Sequence, residues 1–208
     1  MDFKKQLIIN YDADARRRDF TEDKLEPWKV DIRQRFAMLL TKEGKKKILE
    51  IGSGAGFDAE YFQKQGFEVL ATDFSKEMIK RCQKRKLKTK VFDFYNLAEL
   101  GETFDAIYSM NALLHVPEKD LKKVLKIISS TLNPTGIFYY GVYGGKDAEE
   151  IIADENKTNL PRFFSFLADK TLLDIVKDYF AIIDFRVIPT AAATSSWFHF
   201  QSLLLRKR

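Results

Sequence analysis

Three glycines and one downstream carboxylate carry the most chemistry in this chain. Gly52, Gly54 and Gly56 punctuate the stretch Ile48-Leu-Glu-Ile-Gly-Ser-Gly-Ala-Gly-Phe57, and Asp73 closes a second apolar run. Glycines so spaced let a ligand lie against bare backbone, where a Cβ would block its approach and the turn demands unusual φ values. What is missing narrows the ligand. A P-loop closes with Gly-Lys-Ser or Gly-Lys-Thr, absent here, and a dinucleotide fingerprint wants its third glycine where Phe57 stands. An acid ending the second strand is placed to accept both hydroxyls of a ribose. These features together predict an unphosphorylated nucleoside.

Holding those groups takes a strand, a sharp turn and a helix, in that order. Residues 47–51 are short and β-prone, the glycine turn follows, and residues 58–65 read as helix. Gly66 ends that helix ahead of the second strand, which Asp73 closes, and a Lys/Arg-rich helix spans 75–86. Residues 118–131 put Leu121, Val124, Leu125 and Ile128 on one side of a helix that the Asn133-Pro134 turn ends. Upstream, Trp28, Ile32, Phe36 and Leu39 keep helical spacing between a start at Glu26-Pro27 and a stop at Gly44, so residues 1–44 read as a helical cap. Near the other end, a helix over 170–178 has Asp169 as its candidate N-cap.

With these motifs in order, the chain resembles the class I S-adenosylmethionine-dependent methyltransferases, of the small-molecule type. Glu50-Ile-Gly-Ser-Gly-Ala-Gly56 with Asp73-Phe-Ser-Lys-Glu-Met78 is similar to the first two family motifs, and Val91-Phe-Asp93-Phe94 to the third strand and its acid. The run from Phe104 through His115 to Pro117 resembles the fourth strand and following loop, and Leu132-Asn-Pro-Thr-Gly-Ile-Phe138 the turn into the fifth. The resemblance implies a Rossmann-like α/β fold: a seven-stranded, mostly parallel sheet, order 3-2-1-4-5-7-6 with strand 7 antiparallel, helices on both faces, and an N-terminal helical cap. Residues 180–188 and 198–206 would be the closing pair. It implies a single domain over 1–208, with the cap at 1–44, the cofactor core at 45–142 and a substrate-side segment with closing strands at 143–208. It further implies S-adenosyl-L-methionine as cofactor. Glu50, Ser109 and Gly56 fall in its binding set; Gly52, Ser53 and Gly54 meet the amino acid end, Asp73 the ribose, Phe74 and Met78 the adenine, and Asp93 with the Phe94 backbone its polar edge.

Composition agrees. At 208 residues with 45% hydrophobic side chains, the chain suits one domain with a sizeable core. The only apolar runs are of strand or short-helix length, and Asp2, Lys4 and Lys5 stand where a leader would be apolar, so a soluble cytoplasmic protein without a membrane partner is expected. Cys82 is the sole cysteine, which excludes an intramolecular disulfide and a cysteine-held metal; no metal site is expected. The formal charge of +5, with basic runs at 16–18, 45–47 and 80–90, raises nucleic acid as an acceptor. It is the less favoured one, because those runs lack interleaved aromatics and read as a solvated face, residues 80–90 being a helix end and its loop.

A sulfonium is already a strong electrophile, so the protein need only align the acceptor, exclude water and, where required, remove a proton. His115, after the fourth strand, is the candidate general base, and Tyr11 in the cap the candidate to close over the methyl. Against catalysis, His115 reads as a hydrogen-bonded residue orienting its loop. Asp105 sits at the wrong end of its strand and His199 on a closing strand, both structural readings; Arg162 reads equally as an anion holder or a surface arginine. The expected function is methyl transfer to a small molecule, with an RNA or protein methyltransferase, or a silent S-adenosylmethionine-binding protein, as alternatives. Removing Asp73 is expected to cost cofactor affinity and to leave folding nearly unchanged.

Overall fold

β1 (Lys47–Ile51) is a near-continuous apolar run with four of its five residues buried, as a parallel strand covered on both faces must be. It pairs in parallel with β2 (Glu68–Asp73), which pairs in parallel with β3 (Lys88–Val91). The crossovers that parallel pairing requires are α3 (Phe57–Lys64) and α4 (Lys76–Lys84). α1 (Phe3–Arg18) and α2 (Pro27–Lys42) precede β1. The computed structural model describes residues 3–18, 25–153, 160–189 and 197–208, and the side chains of residues 3 and 16–18, with that basic run, lie outside the described set.

These elements, as Met1–Asp93 with Ala153–Arg162, form one compact unit; Phe94–Ile152 with Phe163–Arg208 form a second. The second holds β4 (Phe104–Met110), α5 (Glu118–Thr131), β5 (Leu132–Gly144), β6 (Ala148–Ile152), most of β7 (Arg162–Phe166), α6 (Asp169–Val176), β8 (Phe180–Ile188) and β9 (His199–Lys207). β4 runs parallel to β5, while β9 runs antiparallel to both β5 and β8. The sheet order is β3-β2-β1-β4-β5-β9-β8, with β6 and β7 as a separate pair. This is the expected Rossmann-like α/β order, β8 and β9 being the sixth and seventh strands of the reading from sequence.

α5 begins and ends as its periodicity predicts and buries Leu121, Val124, Leu125 and Ile128. α2 starts at Pro27 as expected, but its buried face uses Leu40, with Leu39 half-buried. Lys88 and Lys90 stand on β3, not in a loop, and β3 is an edge strand, a place where lysines discourage pairing with other chains. The β6–β7 pair is unexpected: β6 is largely exposed, so no buried stripe marks it in the sequence. Asp169 is not an N-cap. It lies in the first turn of α6, accepting from His199 Nε2 at 2.8 Å and Gln201 Nε2 at 2.7 Å. One orphan N–H at that helix start is met by the distant Asp147, whose carboxylate accepts from the Ala168 N–H at 2.8 Å and also from the Thr171 hydroxyl at 2.9 Å. Asp105, at the start of β4, accepts from Asn133 Nδ2 at 2.9 Å and holds the turn into β5.

Candidate functional site

The turn after β1 is held open by left-handed backbone and clasped by an acid. Gly54 and Gly56 have φ of +54° and +85°, a region that costs a residue with a Cβ about 1–2 kcal/mol. At Gly56 a Cβ would also come within 2.8 Å of Cys82 Sγ and Leu87 Cδ1. Asp73, 7% exposed, accepts from the Gly54 N–H through Oδ2 at 2.9 Å and from the Ser75 N–H through Oδ1 at 2.8 Å. This corrects the expectation that its loss would spare folding: two backbone donors would be stranded at a buried place.

Glu50 is the anomaly of β1, a carboxylate 4% exposed in an otherwise apolar strand. Its Oε2 meets no hydrogen-bond donor among the described residues. Burial pushes its carboxyl well above the usual range, and Asp58 and Asp73 push it further. Asp58 is raised as well by burial, offset by Arg33, whose guanidinium lies 3.6 Å away. A buried carboxylate oxygen without a donor is costly unless a cation or a proton joins it. Ser53 is buried beneath the turn, with Oγ 3.5 Å from Cys82 Sγ, while that thiol donates to the Gly54 carbonyl at 3.2 Å. Burial pushes the Cys82 thiol up to about 12, far from a nucleophile's range.

α4 starts with Ser75 as N-cap, its hydroxyl accepting from the Met78 N–H, and Met78 is fully buried. Phe74 is half-buried, with the Tyr11 ring set edge-on at 5.7 Å. Two further contacts from α1 reach this region: Asp12 joins the Ser75 hydroxyl at 2.5 Å, and Lys4 pairs with Asp93 at 2.9 Å. Nothing in the sequence of α1 singled out Lys4 or Asp12, since no apolar stripe orients that helix for a reader. Of the basic run, Arg81 is 8% exposed and Arg85 bonds the Ala55 carbonyl and Glu60 over the Phe57 ring. These two arginines are internal ties, not a solvated face. Arg162 is 5% exposed, not a surface residue.

The other sequence-predicted residues belong to the second unit. Phe94 is buried and stacks on Tyr95 at 5.2 Å. At the end of β4, the fully buried Ser109 Oγ has no hydrogen-bond partner among the described residues, and neither has Asn111 Oδ1. Asn111 was not foreseen. It holds φ at +56°, unusual for a residue with a side chain, while its N–H donates to the Gly141 carbonyl at 2.8 Å. Strained backbone of this kind clusters where ligands are handled. His115 is 2% exposed, and its Nδ1 lies 2.6 Å from the Phe163 carbonyl. A carbonyl only accepts, so Nδ1 carries a proton, and in the neutral form of the ring the lone pair is on Nε2.

Residues 48–136 match a family model described as a methyltransferase domain. The chain is 29% identical over 123 residues to a ubiquinone biosynthesis O-methyltransferase of Chromobacterium violaceum, covering 56% of this chain and 50% of the relative. It is 33% identical over 111 residues to a glycine/sarcosine N-methyltransferase of Halorhodospira halochloris, covering 49% and 41%. The chain thus spans about half the length of these curated relatives. Its fold is also that of the Burkholderia thailandensis 1,6-didemethyltoxoflavin-N1-methyltransferase, solved with S-adenosylhomocysteine: TM-score 0.71, 20% identity, 99% of this chain and 89% of that one. No helix among the described residues is long and apolar enough to cross a membrane.

Proposed function

We propose that the chain is a class I S-adenosylmethionine-dependent methyltransferase that transfers a methyl group to a small-molecule acceptor by in-line displacement. The observation that carries this reading is the clasp of the Gly54 N–H by Asp73, beside Glu50 with its donorless oxygen. The residues present fit S-adenosylmethionine: Glu50 is a buried acid suited to an α-ammonium, and Asp73 an acid suited to a ribose. Gly52, Ser53, Gly54 and Gly56 bring backbone to the amino acid end, Phe74 and Met78 cover the adenine, and Asp93 with the Phe94 backbone and Ser109 completes the binding set. When bound, the cofactor supplies an electrophilic methyl on sulfur.

The protein's own work is then binding, orientation and exclusion of water. Lys4 must yield Asp93 for that acid to meet the adenine amino group. His115, whose neutral ring has its lone pair on Nε2, is suited to take a proton from the acceptor, and Tyr11 to close over the methyl. The acceptor class follows the relatives, whose names describe small-molecule substrates, and the internal ties of Arg81 and Arg85 weigh against an RNA acceptor. The single cysteine fits a reducing compartment, and the cytoplasm is the proposed one.

The test is calorimetric titration with S-adenosylhomocysteine beside NADH, followed by a labelled-methyl screen of cell metabolites and RNA. Binding of the first alone, and label entering metabolites, is the expected result. NADH binding in its place, or label in RNA only, would overturn the proposal.

A further inference from the structure

The two edge strands of the sheet are made differently. β3 is four residues long and carries Lys88 and Lys90, and a short edge with lysines discourages pairing with another chain. β8, at the other end of the strand order, runs nine residues as Phe-Ala-Ile-Ile-Asp-Phe-Arg-Val-Ile and holds neither lysine nor proline. Among the described residues it pairs with a strand on one side only, β9, and an edge of that kind presents a row of backbone N–H and C=O groups to any strand that can match it. Ile183 and Val187 are exposed on it. Asp184 and Arg186, their side chains nearly half exposed, lie two residues apart on one face of the strand and join through Oδ2 and Nε at 2.6 Å.

From this edge we propose that β8 pairs antiparallel with β8 of a second copy of this chain, about a two-fold axis at Phe185. A two-fold contact must be self-complementary, each residue meeting in the partner what its counterpart meets in return. Centred on Phe185, the strand meets that demand: Asp184 comes opposite the partner's Arg186, and Arg186 opposite the partner's Asp184. Opposite charges so placed attract across an antiparallel pair, and the two pairs within the chains become one ring of four alternating charges. Moving the axis by one residue sets guanidinium against guanidinium or carboxylate against carboxylate, so the charges select a single register. The bulge between Ile182 and Asp184 bends the strand beyond this stretch. The contact is therefore short, and the dimer is one that dilution separates. This inference goes beyond the methyl-transfer reading and does not depend on it.

The test is analytical ultracentrifugation of the full chain from about 1 to 500 μM. The expected result is a mass that rises with concentration from one chain toward two. Asp184→Arg and Arg186→Asp each place like charges opposite one another twice across the axis, and each should weaken association about tenfold or more. The chain carrying both exchanges has opposite charges facing again and should dimerise as the wild type does. A mass that stays at one chain or climbs past two, single exchanges that associate like the wild type, or a double exchange no stronger than the singles overturns the proposal. Circular dichroism checks the fold of each variant first. Where a single exchange unfolds the chain, Val187→Lys, which adds a lysine to the exposed edge and leaves the charge pair intact, is scored in its place and should weaken association likewise.

Discussion

The turn after β1 and the loop after β4 solve the same problem, presenting polar atoms at the end of a parallel strand, in opposite ways. At the first, the acid and the backbone it clasps belong to adjacent motifs: Asp73 binds Gly54 and, two residues on, Ser75. At the second, Ser109 and Asn111 keep oxygens without donors among the described residues, and His115 is tied to a carbonyl 48 residues away. A satisfied clasp makes a rigid cradle, ready before any ligand arrives. Donorless buried oxygens make a place that a ligand completes. The difference teaches that the turn is fixed by contacts between two neighbouring motifs, while the β4 loop depends on longer-range ones.

The largest expected effect breaks the cradle itself. Gly54→Val forces a β-branched residue to φ near +54° and places atoms in the ligand's volume, so affinity for S-adenosylhomocysteine should fall by more than about a hundredfold. Calorimetry returning wild-type affinity would show that this turn holds no ligand. Next, Asp73→Ala should weaken binding by about 2 kcal/mol and lower folding stability by about 1–3 kcal/mol. Urea denaturation reads the second quantity, and unaltered stability would mean that the clasp does not exist in solution.

Glu50 gives a pH test of the same region. Its carboxyl lies well above the ordinary 4.5, so the folded chain holds a proton that the unfolded chain gives up. Its contribution to stability is therefore complete below about 4.5 and is lost as pH climbs toward the folded value. Asp58, raised in the same direction, adds to that slope. Glu50→Gln should flatten the decline, stabilise the chain at pH 8 by about 1 kcal/mol, and weaken cofactor binding by about tenfold. Parallel pH profiles for the two proteins would remove Glu50 from the argument. The smallest effect belongs to the other region. His115→Phe leaves the Phe163 carbonyl without its donor and should cost about 1 kcal/mol of stability. Affinity for S-adenosylhomocysteine should stay within about twofold; a tenfold loss would erase the contrast between cradle and loop.

How far each region could be read from the chain follows from the range of its contacts. Gly52, Gly54, Gly56 and Asp73 announced themselves, since strand, turn and acid are encoded within about two dozen consecutive residues and each obeys local backbone sterics. α5 was legible for the same reason, a repeat of apolar residues along one helix. Asp169 was misread because the donor it satisfies comes from β9, and the cap of α6 comes from Asp147, neither near it in sequence. The sequence leaves Arg162 between two readings because burial of a cation depends on contacts from other elements, and no pattern around residue 162 records that.

The sequence by itself determined the first strand, the glycine turn, the helix after it and the acid that closes the second strand, because short-range stereochemistry and apolar periodicity act on neighbouring residues. Only the tertiary structure decided that Lys4 covers Asp93, that Asp12 joins the start of α4, and that Arg162 lies buried on Tyr11. Those contacts join residues 63 to about 150 positions apart, and their formation is governed by loop-closure entropy and packing, which leave no local trace in the chain.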